Sequence, residues 1–325
     1  MRQRGVAVIT ALLVGALVTA ATGFIAWRQQ LWLRTVENQL NMAQAKGIAR
    51  AALSLVRAEL NDDRRRDGNK YDYPGKAWAV PISNIPVEQG SAGGLVRDLQ
   101  GRFNLNNLLG SSGQPNEDWV ESCRTLFRQL QLPAELLPNL LAWIDPGQTQ
   151  RADGGPEDDY YLSLPQPYRA ANQALTDINN LYRIKGFTHQ VVAVLRPYVT
   201  VLPPTAEPVP VNVNFASEVV LRSLVGAEAA QAILLQRQDK PFENLEMLRL
   251  AVPEDVRDRI QPRLVDVRTD YFEAVTQARF GNVTVAYSSL LSRDSQTVSG
   301  TFPRVLWMRR SDLSEQSGGA AESFK

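Results

Sequence analysis

The chain has 325 residues, with 35 Lys and Arg against 34 Asp and Glu for a formal charge of +1, and a single Cys and a single His. At about 100–200 residues per domain, that length implies two or three cores and excludes a minimal module. The near-neutral balance excludes a global attraction to nucleic acid or an acidic substrate, and the lone Cys123 excludes an internal disulfide and a multi-cysteine metal site. Cys123 reads as a small buried hydrophobe.

Residues 6–26, VAVITALLVGALVTAATGFIA, carry no charge over 21 positions. As a helix they reach about 31 Å, close to the thickness of bilayer hydrocarbon. Arg2 and Arg4 precede the run and the bulk of the chain follows it, so the positive-inside tendency places the first residues in the cytoplasm and the rest outside. A secretory signal peptide would have a shorter apolar core and a small-residue cleavage site; Ala20, Ala21 and Gly23 imitate one. The next stretch nevertheless keeps a helical rhythm, with Leu33, Val36, Leu40, Ala43, Gly47, Ala51 and Leu55 at spacings of three and four. This predicts a rod to about Leu60 whose second half offers a stripe to a globular body.

The basic stub MRQRG, the apolar run that starts directly after Gly5 and the long helix behind it resemble the type IV pilin and pseudopilin class. In that class a membrane aspartyl peptidase cuts after the leader glycine, so the resemblance implies cleavage between Gly5 and Val6. Most members carry a glutamate at the fifth mature position, where this chain has Thr10. An ionised carboxylate in hydrocarbon is costly unless a neighbour neutralises it, so a subunit with nothing above it is better served by a neutral residue. The minor pseudopilin K family of the type II secretion system lacks that glutamate, and this chain resembles it along nearly its whole length. A head as large as residues 61–325 would also crowd any filament position but an end.

The resemblance implies an α+β, type IV pilin-like fold: a long transmembrane helix packed on an antiparallel sheet, with a large inserted helical domain. It divides the chain into a leader (1–5), the N-terminal helix (6–60, spanning the membrane at 6–26), a sheet region (61–101 and 263–310), two helical segments (102–202 and 203–262) and a disordered tail (311–325). It also implies a single-pass inner-membrane protein with a periplasmic head. Its implied partners are the prepilin peptidase, other minor pseudopilins, the major pseudopilin, secreted substrates and the outer-membrane secretin. Its role would be to cap the pseudopilus tip and help initiate assembly.

Along the head, the run NDDRRRDG at 61–68 is charged and is expected to break the helix as a solvated loop. Residues 77–82, 85–87 and 94–99 read as short strands. Apolar faces at three-to-four spacing predict helices at 119–130, 134–144, 175–184 and 189–195. PPTAEPVP at 203–210 reads as a stiff linker before a second helical unit at 211–262. Alternation returns at Val265, Val267, Thr269 and Tyr271, at Val283, Val285 and Tyr287, and at 305–308, which suggests one sheet interrupted by insertions.

PVNVNFAS at 210–217, with Leu221, Leu224, Ala230, Arg237 and Phe242, resembles a helix-hairpin-helix (SAM-like) unit of competence DNA receptors. Such units bind phosphate through backbone amides of a Gly-x-Gly hairpin. Here Gly226 is followed by Ala227 and Glu228. Between 211 and 250, Arg222, Arg237, Lys240 and Arg249 stand against Glu218, Glu228, Asp239, Glu243 and Glu246, a net of −1. Phosphate binding needs cations, so the unit is expected to make protein contacts and no nucleic acid is expected as partner. A membrane-anchored DNA-uptake protein is the alternative and requires a basic surface there. The phrase DLQGRFNLNNL at 98–108 has a similar rhythm, its Asn side chains suited to backbone groups at turns and helix starts.

Around 145–159, Asp145, Asp153, Glu157, Asp158 and Asp159 share a Gly- and Pro-containing stretch with Arg151. Calcium takes six to eight oxygens in flexible geometry, which such a loop can supply, although the spacing is not that of an EF-hand. A solvated acidic loop fits the residues equally well. The resemblance favours structural calcium, with Asp145, Asp153, Glu157 and Asp158 as ligands. Nucleophile elbows, phosphate loops and His-Glu-x-x-His are absent, and His189 has no metal-like spacing beside it, so no enzyme is expected.

Overall fold

The computed structural model describes residues 3–147, 154–293 and 302–311. The expected tail beyond Ser311 and the candidate ligand Asp153 lie outside them.

Helix α1 runs unbroken over Gln3–Asp67. The charged run at 61–67 therefore extends the helix instead of breaking it. Arg66 pairs with Glu59 at 2.7 Å and Asp62 at 3.3 Å, and Arg64, Arg65 and Arg66 occupy the last turn, where cations complement the helix dipole. Asp63 points inward. Gly68, at φ +70°, then stops the helix, its N–H donating to Arg64 O at 3.0 Å.

After α1, residues Ala77–Ala79 form a 3₁₀ turn where a strand was expected. The turn drives Trp78 into the core, edge-on to Phe272 at 4.9 Å and beside Phe215 at 5.7 Å. Strands β1 (Ile82–Val87) and β2 (Gly90–Asp98) follow, and Pro86 fits an edge strand because it donates no ladder bond. Then come β3 (Phe103–Asn104), α2 (Glu117–Gln129), α3 (Leu136–Ile144), α4 (Asp158–Leu162), α5 (His189–Leu195) and β4 (Val199–Thr200). The helix expected over 175–184 is a 3₁₀ segment at Ile178–Arg183 with a capping box between Asp177 and Asn180. Next are β5 (Val211–Asn212), α6 (Glu218–Val225), α7 (Ala227–Asp239), α8 (Leu245–Ala251) and β6 (Val265–Asp266). The chain returns through β7 (Tyr271–Phe280), β8 (Val283–Ser292) and β9 (Arg304–Arg310).

The main sheet is antiparallel, ordered β1-β2-β7-β8-β9. Strands β2 and β7 are hydrogen-bonded neighbours, with Asp98 opposite Phe272. Residues 99–270 therefore leave the sheet from one strand and re-enter on the next. α1 crosses one face of the sheet. Ala45 and Ala49 meet Ala278 and Val285, small residues that bring helix and strands close, while Leu53 and Leu60 join Trp78, Val96, Phe272 and Leu291.

Between β2 and β7, one continuous core runs from Phe103 to Val267 and takes the apolar faces of both helical segments. The segments repeat a plan. Each opens on a two-residue strand paired in parallel with another near its end, Phe103 with Val199 and Val211 with Val265. Each also carries an Asn whose side chain bonds both backbone groups of a distant residue: Asn106 with Leu175, and Asn214 with Phe242. Asn107 does the same to Val209, which fastens the proline-rich linker to the first segment. These Asn side chains thus tie segments together, beyond the local capping that Asn104 performs on Asn106.

Candidate functional site

Residues 6–26 of α1 are exposed at every position. Their polar atoms are satisfied inside the helix. The Thr10 hydroxyl lies 3.1 Å from Val6 O and 3.0 Å from Ala7 O, and Thr19 and Thr22 donate to Gly15 O and Val18 O at 2.8 Å. What remains outward is uncharged and apolar, the surface that a bilayer or a second apolar helix accepts. A Cβ added at Gly15 or Gly23 would meet no atom within 4 Å, so the helix is open to close approach there.

Beyond the apolar run, α1 has two apolar stripes. The expected one, Leu33 to Leu55, does not seat the head: Leu33, Leu40 and Leu55 are 58%, 61% and 67% exposed, and only Val36 among the seven is partly covered. The head sits instead on Ala45, Ala49, Leu53 and Leu60, with Ile48 and Val56 beside them. Ala45 and Ala49 are each two positions from Gly47, about 200° around an α-helix. The rhythm read from the sequence thus belongs to the opposite, unpartnered face, where Ala43, Gly47 and Ala51 form a shallow strip of small residues.

The end of α1 is locked to the head by buried charges that the sequence did not single out. Arg293, 2% exposed, donates to Asp63 at 3.1 Å, to Asp72 at 2.5 Å and to Thr269 O at 2.8 Å. Lys76 pairs with Asp63 at 3.0 Å and also with Asp67. Thr269 accepts from Asn212 and donates to Asp98 at 2.5 Å. Burial pushes Asp72 up to about 6, opposed chiefly by Arg293. Burial likewise pushes Asp98 up to about 7, against hydrogen bonds from Thr269 and from the backbone N–H groups of Gly101 and Gln100. No local pattern marks this cluster, since its members come from α1, the 68–76 connection, β2, the lead-in to β7 and the end of β8.

In the hairpin unit, Gly226 joins α6 to α7 at φ +86°, and a Cβ there would lie 2.2 Å from Arg259 Nη1. The Arg259 side chain thus packs against this glycine, and Glu228 stands in the first turn of α7. Arg237 points inward and donates to Val213 O at 2.7 Å and Ala216 O at 2.6 Å.

Of the expected metal ligands, Asp145 follows the last turn of α3 and accepts from Gly147 N–H at 2.9 Å. Glu157 and Asp158 open α4; Asp158 accepts from Ala170 N–H at 3.0 Å and pairs with Arg169 at 2.9 Å. Gly155 runs against α3, where a Cβ would lie 2.3 Å from Ala142 Cβ, so the two ends of the loop lie alongside one helix. Among the described residues, no three His, Cys, Asp or Glu side chains converge as a metal site would require. His189 is exposed at the start of α5, its ring 4.6 Å from Tyr182, and burial pushes the Cys123 thiol up.

A family profile described as type II secretion system (T2SS), protein K matches residues 101–204. Among curated proteins, the type II secretion system protein K of Pseudomonas aeruginosa is 36% identical over 239 residues, 71% of this chain and 70% of its own length. That of Aeromonas hydrophila is 31% identical over 314 residues, 90% of this chain and 93% of its own. The solved GspK-GspI-GspJ complex from the type 2 secretion system of enterotoxigenic Escherichia coli contains a chain similar to this one. Its TM-score is 0.72 at 25% identity, covering 85% of this chain and 99% of that one.

Proposed function

The chain belongs to the type II secretion system protein K family and is a minor pseudopilin, and from this premise we propose that it caps the pseudopilus tip and helps to start filament assembly. The observation that carries the reading is Thr10, a hydroxyl bonded within its own helix where filament siblings keep a carboxylate. A subunit that needs no neighbour above it requires no acid there, and a terminal amine at Val6, freed by cleavage after Gly5, would receive the acid of the subunit below. On this reading α1 crosses the inner membrane once and the head lies in the periplasm.

We further propose that the helices of other pseudopilins lie along the exposed α1 stripe. The three-chain assembly of the similar GspK supports this, as do the unfilled approaches at Gly15, Gly23 and Gly47. The major pseudopilin would add from below, with the prepilin peptidase acting on the leader beforehand. Secreted substrates and the outer-membrane secretin are the contacts proposed for the head. A structural subunit of this kind performs no catalytic step.

Calcium is proposed as a structural ion of the 145–158 loop. The donor set is oxygen-only, as a hard cation requires, and the packing of Gly155 on α3 brings the loop ends alongside each other. Asp145, Asp153, Glu157 and Asp158 would hold the ion, which when bound would tie those ends together.

Imaging the working filament with this chain tagged tests the cap: the tag is expected at the terminal position, and its appearance mid-stack would overturn the reading. N-terminal sequencing of the membrane-extracted protein tests the processing, with a start at Val6 expected and a start near Phe24 contradicting it.

A further inference from the structure

The part of α1 between the apolar run and the head carries Trp27, Arg28, Trp32 and Arg34. Residues 27–35 are exposed at every position, the two indole side chains by 56% and 65%. With 6–26 filling the hydrocarbon, Trp27 to Arg34 rises about 11 Å further along the axis, enough to cross a headgroup layer of roughly 5–8 Å. The turn between β7 and β8 meets α1 higher up, at Asn41, where a Cβ at Gly281 would lie 2.7 Å from Asn41 Nδ2.

The aromatic and cationic side chains share one side of the rod. At about 100° per residue counted from Trp27, Arg28, Leu31, Trp32 and Arg34 fall between about −20° and 140°. Phe24 lies below them at about 60°, its ring 6.1 Å from that of Trp27. The residues that seat the head, Ala45, Ala49, Leu53 and Leu60, fall on the same arc at about 0–80°. Leu33, Leu40 and Gly47, from the stripe proposed for neighbouring helices, fall at about 200–240°. The patch therefore lies on the head's side of the rod and faces away from the partner stripe.

Its charge is uncompensated within the chain. Glu37 is the sole acid among residues 1–58, and it forms no ion pair among the described residues. The same count puts it at about 280°, outside the arc. An apolar helix of a second protein would leave both arginines unmatched. A phosphodiester accepts from guanidinium groups, and indole rings settle where headgroups meet acyl chains.

We propose that Trp27, Arg28, Trp32 and Arg34 form a binding patch for the headgroup phosphate of anionic phospholipids in the outer leaflet, so that α1 presents one side to lipid, beneath the head, and the other to protein helices. This rests on the reading that α1 crosses the membrane once with the head outside.

The test reconstitutes the full chain in phosphatidylcholine vesicles containing a minor fraction of phosphatidylglycerol, and resistance to alkaline extraction establishes insertion first. Tryptophan fluorescence is then compared with bromine on the acyl chains of the phosphatidylglycerol or of an equal fraction of the phosphatidylcholine. Brominated phosphatidylglycerol is expected to quench more, corresponding to its enrichment about fivefold or more around the patch, the effect of one arginine at an anionic lipid surface. Trp27→Phe with Trp32→Phe should remove the difference, which assigns it to this segment. Arg28→Gln with Arg34→Gln should also abolish it. Adding Gln29→Arg and Gln30→Arg to that pair restores the net charge outside the arc and should not restore the preference. Equal quenching by both lipids in the parent, a preference that survives the arginine changes, or one that returns with the relocated arginines overturns the proposal while leaving α1 in the membrane. A chain released by alkaline extraction overturns the membrane crossing and the lipid patch together.

Discussion

Arg293 and Asp63 meet at 3.1 Å in the interior although 230 positions separate them in the chain. The contact joins the last turns of the rod to the residue that follows β8, and Asp72 completes it from the other side at 2.5 Å. Removing one member of a buried pair strands the other, which costs about 3–5 kcal/mol. Arg293→Met is therefore expected to lower stability by that order in thermal or denaturant unfolding of the full chain. The double variant with Asp63→Asn should lose less than the sum of the two single changes.

The same joint gives stability a pH dependence of defined sign. Asp98 titrates at about 7 in the folded chain, against about 3.9 for an unperturbed Asp. Between those values the folded state holds a proton that the unfolded state has released. Its stabilising contribution is thus fully present below about 4 and is lost as pH rises through about 7. Asp72, pushed up to about 6, acts in the same direction. The difference in unfolding free energy between the parent and Asp98→Asn should shrink as pH is raised from 5 to 8, and a difference that grows over that range would contradict the assignment.

The two faces of α1 can be separated by mutation. Gly47 faces open space, so Gly47→Leu is expected to leave the isolated chain as stable as before or more stable by about 0.5–1 kcal/mol, because glycine is a poor helix residue. It should at the same time weaken recovery of partner pseudopilins in pull-downs from membranes. Ala49 is fully buried against the sheet, so Ala49→Leu is expected to cost about 1–3 kcal/mol through overpacking. If both variants behave alike, the stripe at Gly47 is not a separate surface.

Asn214 bonds Phe242 N–H and C=O at 2.9 Å each and Asp72 O at 3.0 Å from a site 4% exposed. Asn214→Ala orphans those groups, and at about 1–3 kcal/mol for each buried unsatisfied group the loss should be plain in a melting curve. Asn106→Ala in the first helical segment should lose a comparable amount, because it bonds Leu175 in the same manner.

For the proposed ion, the melting midpoint of the full chain should rise when chelator is replaced by about 1 mM calcium, since a ligand at 100 times its dissociation constant contributes about 2.7 kcal/mol. Asp145→Asn combined with Asp158→Asn should abolish the rise. An identical midpoint with and without chelator removes calcium from the account.

The rod was legible because an uncharged run admits few other uses, and β8 and β9 because the alternation at Val283, Val285 and Tyr287 and the apolar run at 305–308 fall inside them, whereas the alternation from Val265 to Tyr271 lies mostly between β6 and β7, and β7 beyond Tyr271 carried no such reading. The head-seating face of α1 was not. Two stripes share one helix, and the one with larger aliphatic residues, Leu33, Leu40 and Leu55, is the exposed one, whereas the head rests partly on alanines. The charges at 61–67 show a different limit. As residue types they describe a solvated loop, and only the distant partners Lys76 and Arg293 turn Asp63 into an interior group.

The pairing of Asp98 with Phe272 places the entrance and exit of residues 99–270 side by side on adjacent strands. Geometrically, that whole block hangs from the sheet as an oversized hairpin loop, so a tight turn in its place would leave the ladder of β2 and β7 in register. A streamlined subunit with the rod and sheet alone is therefore compatible with the backbone, and the block could be exchanged between relatives as a cassette without re-threading the strands.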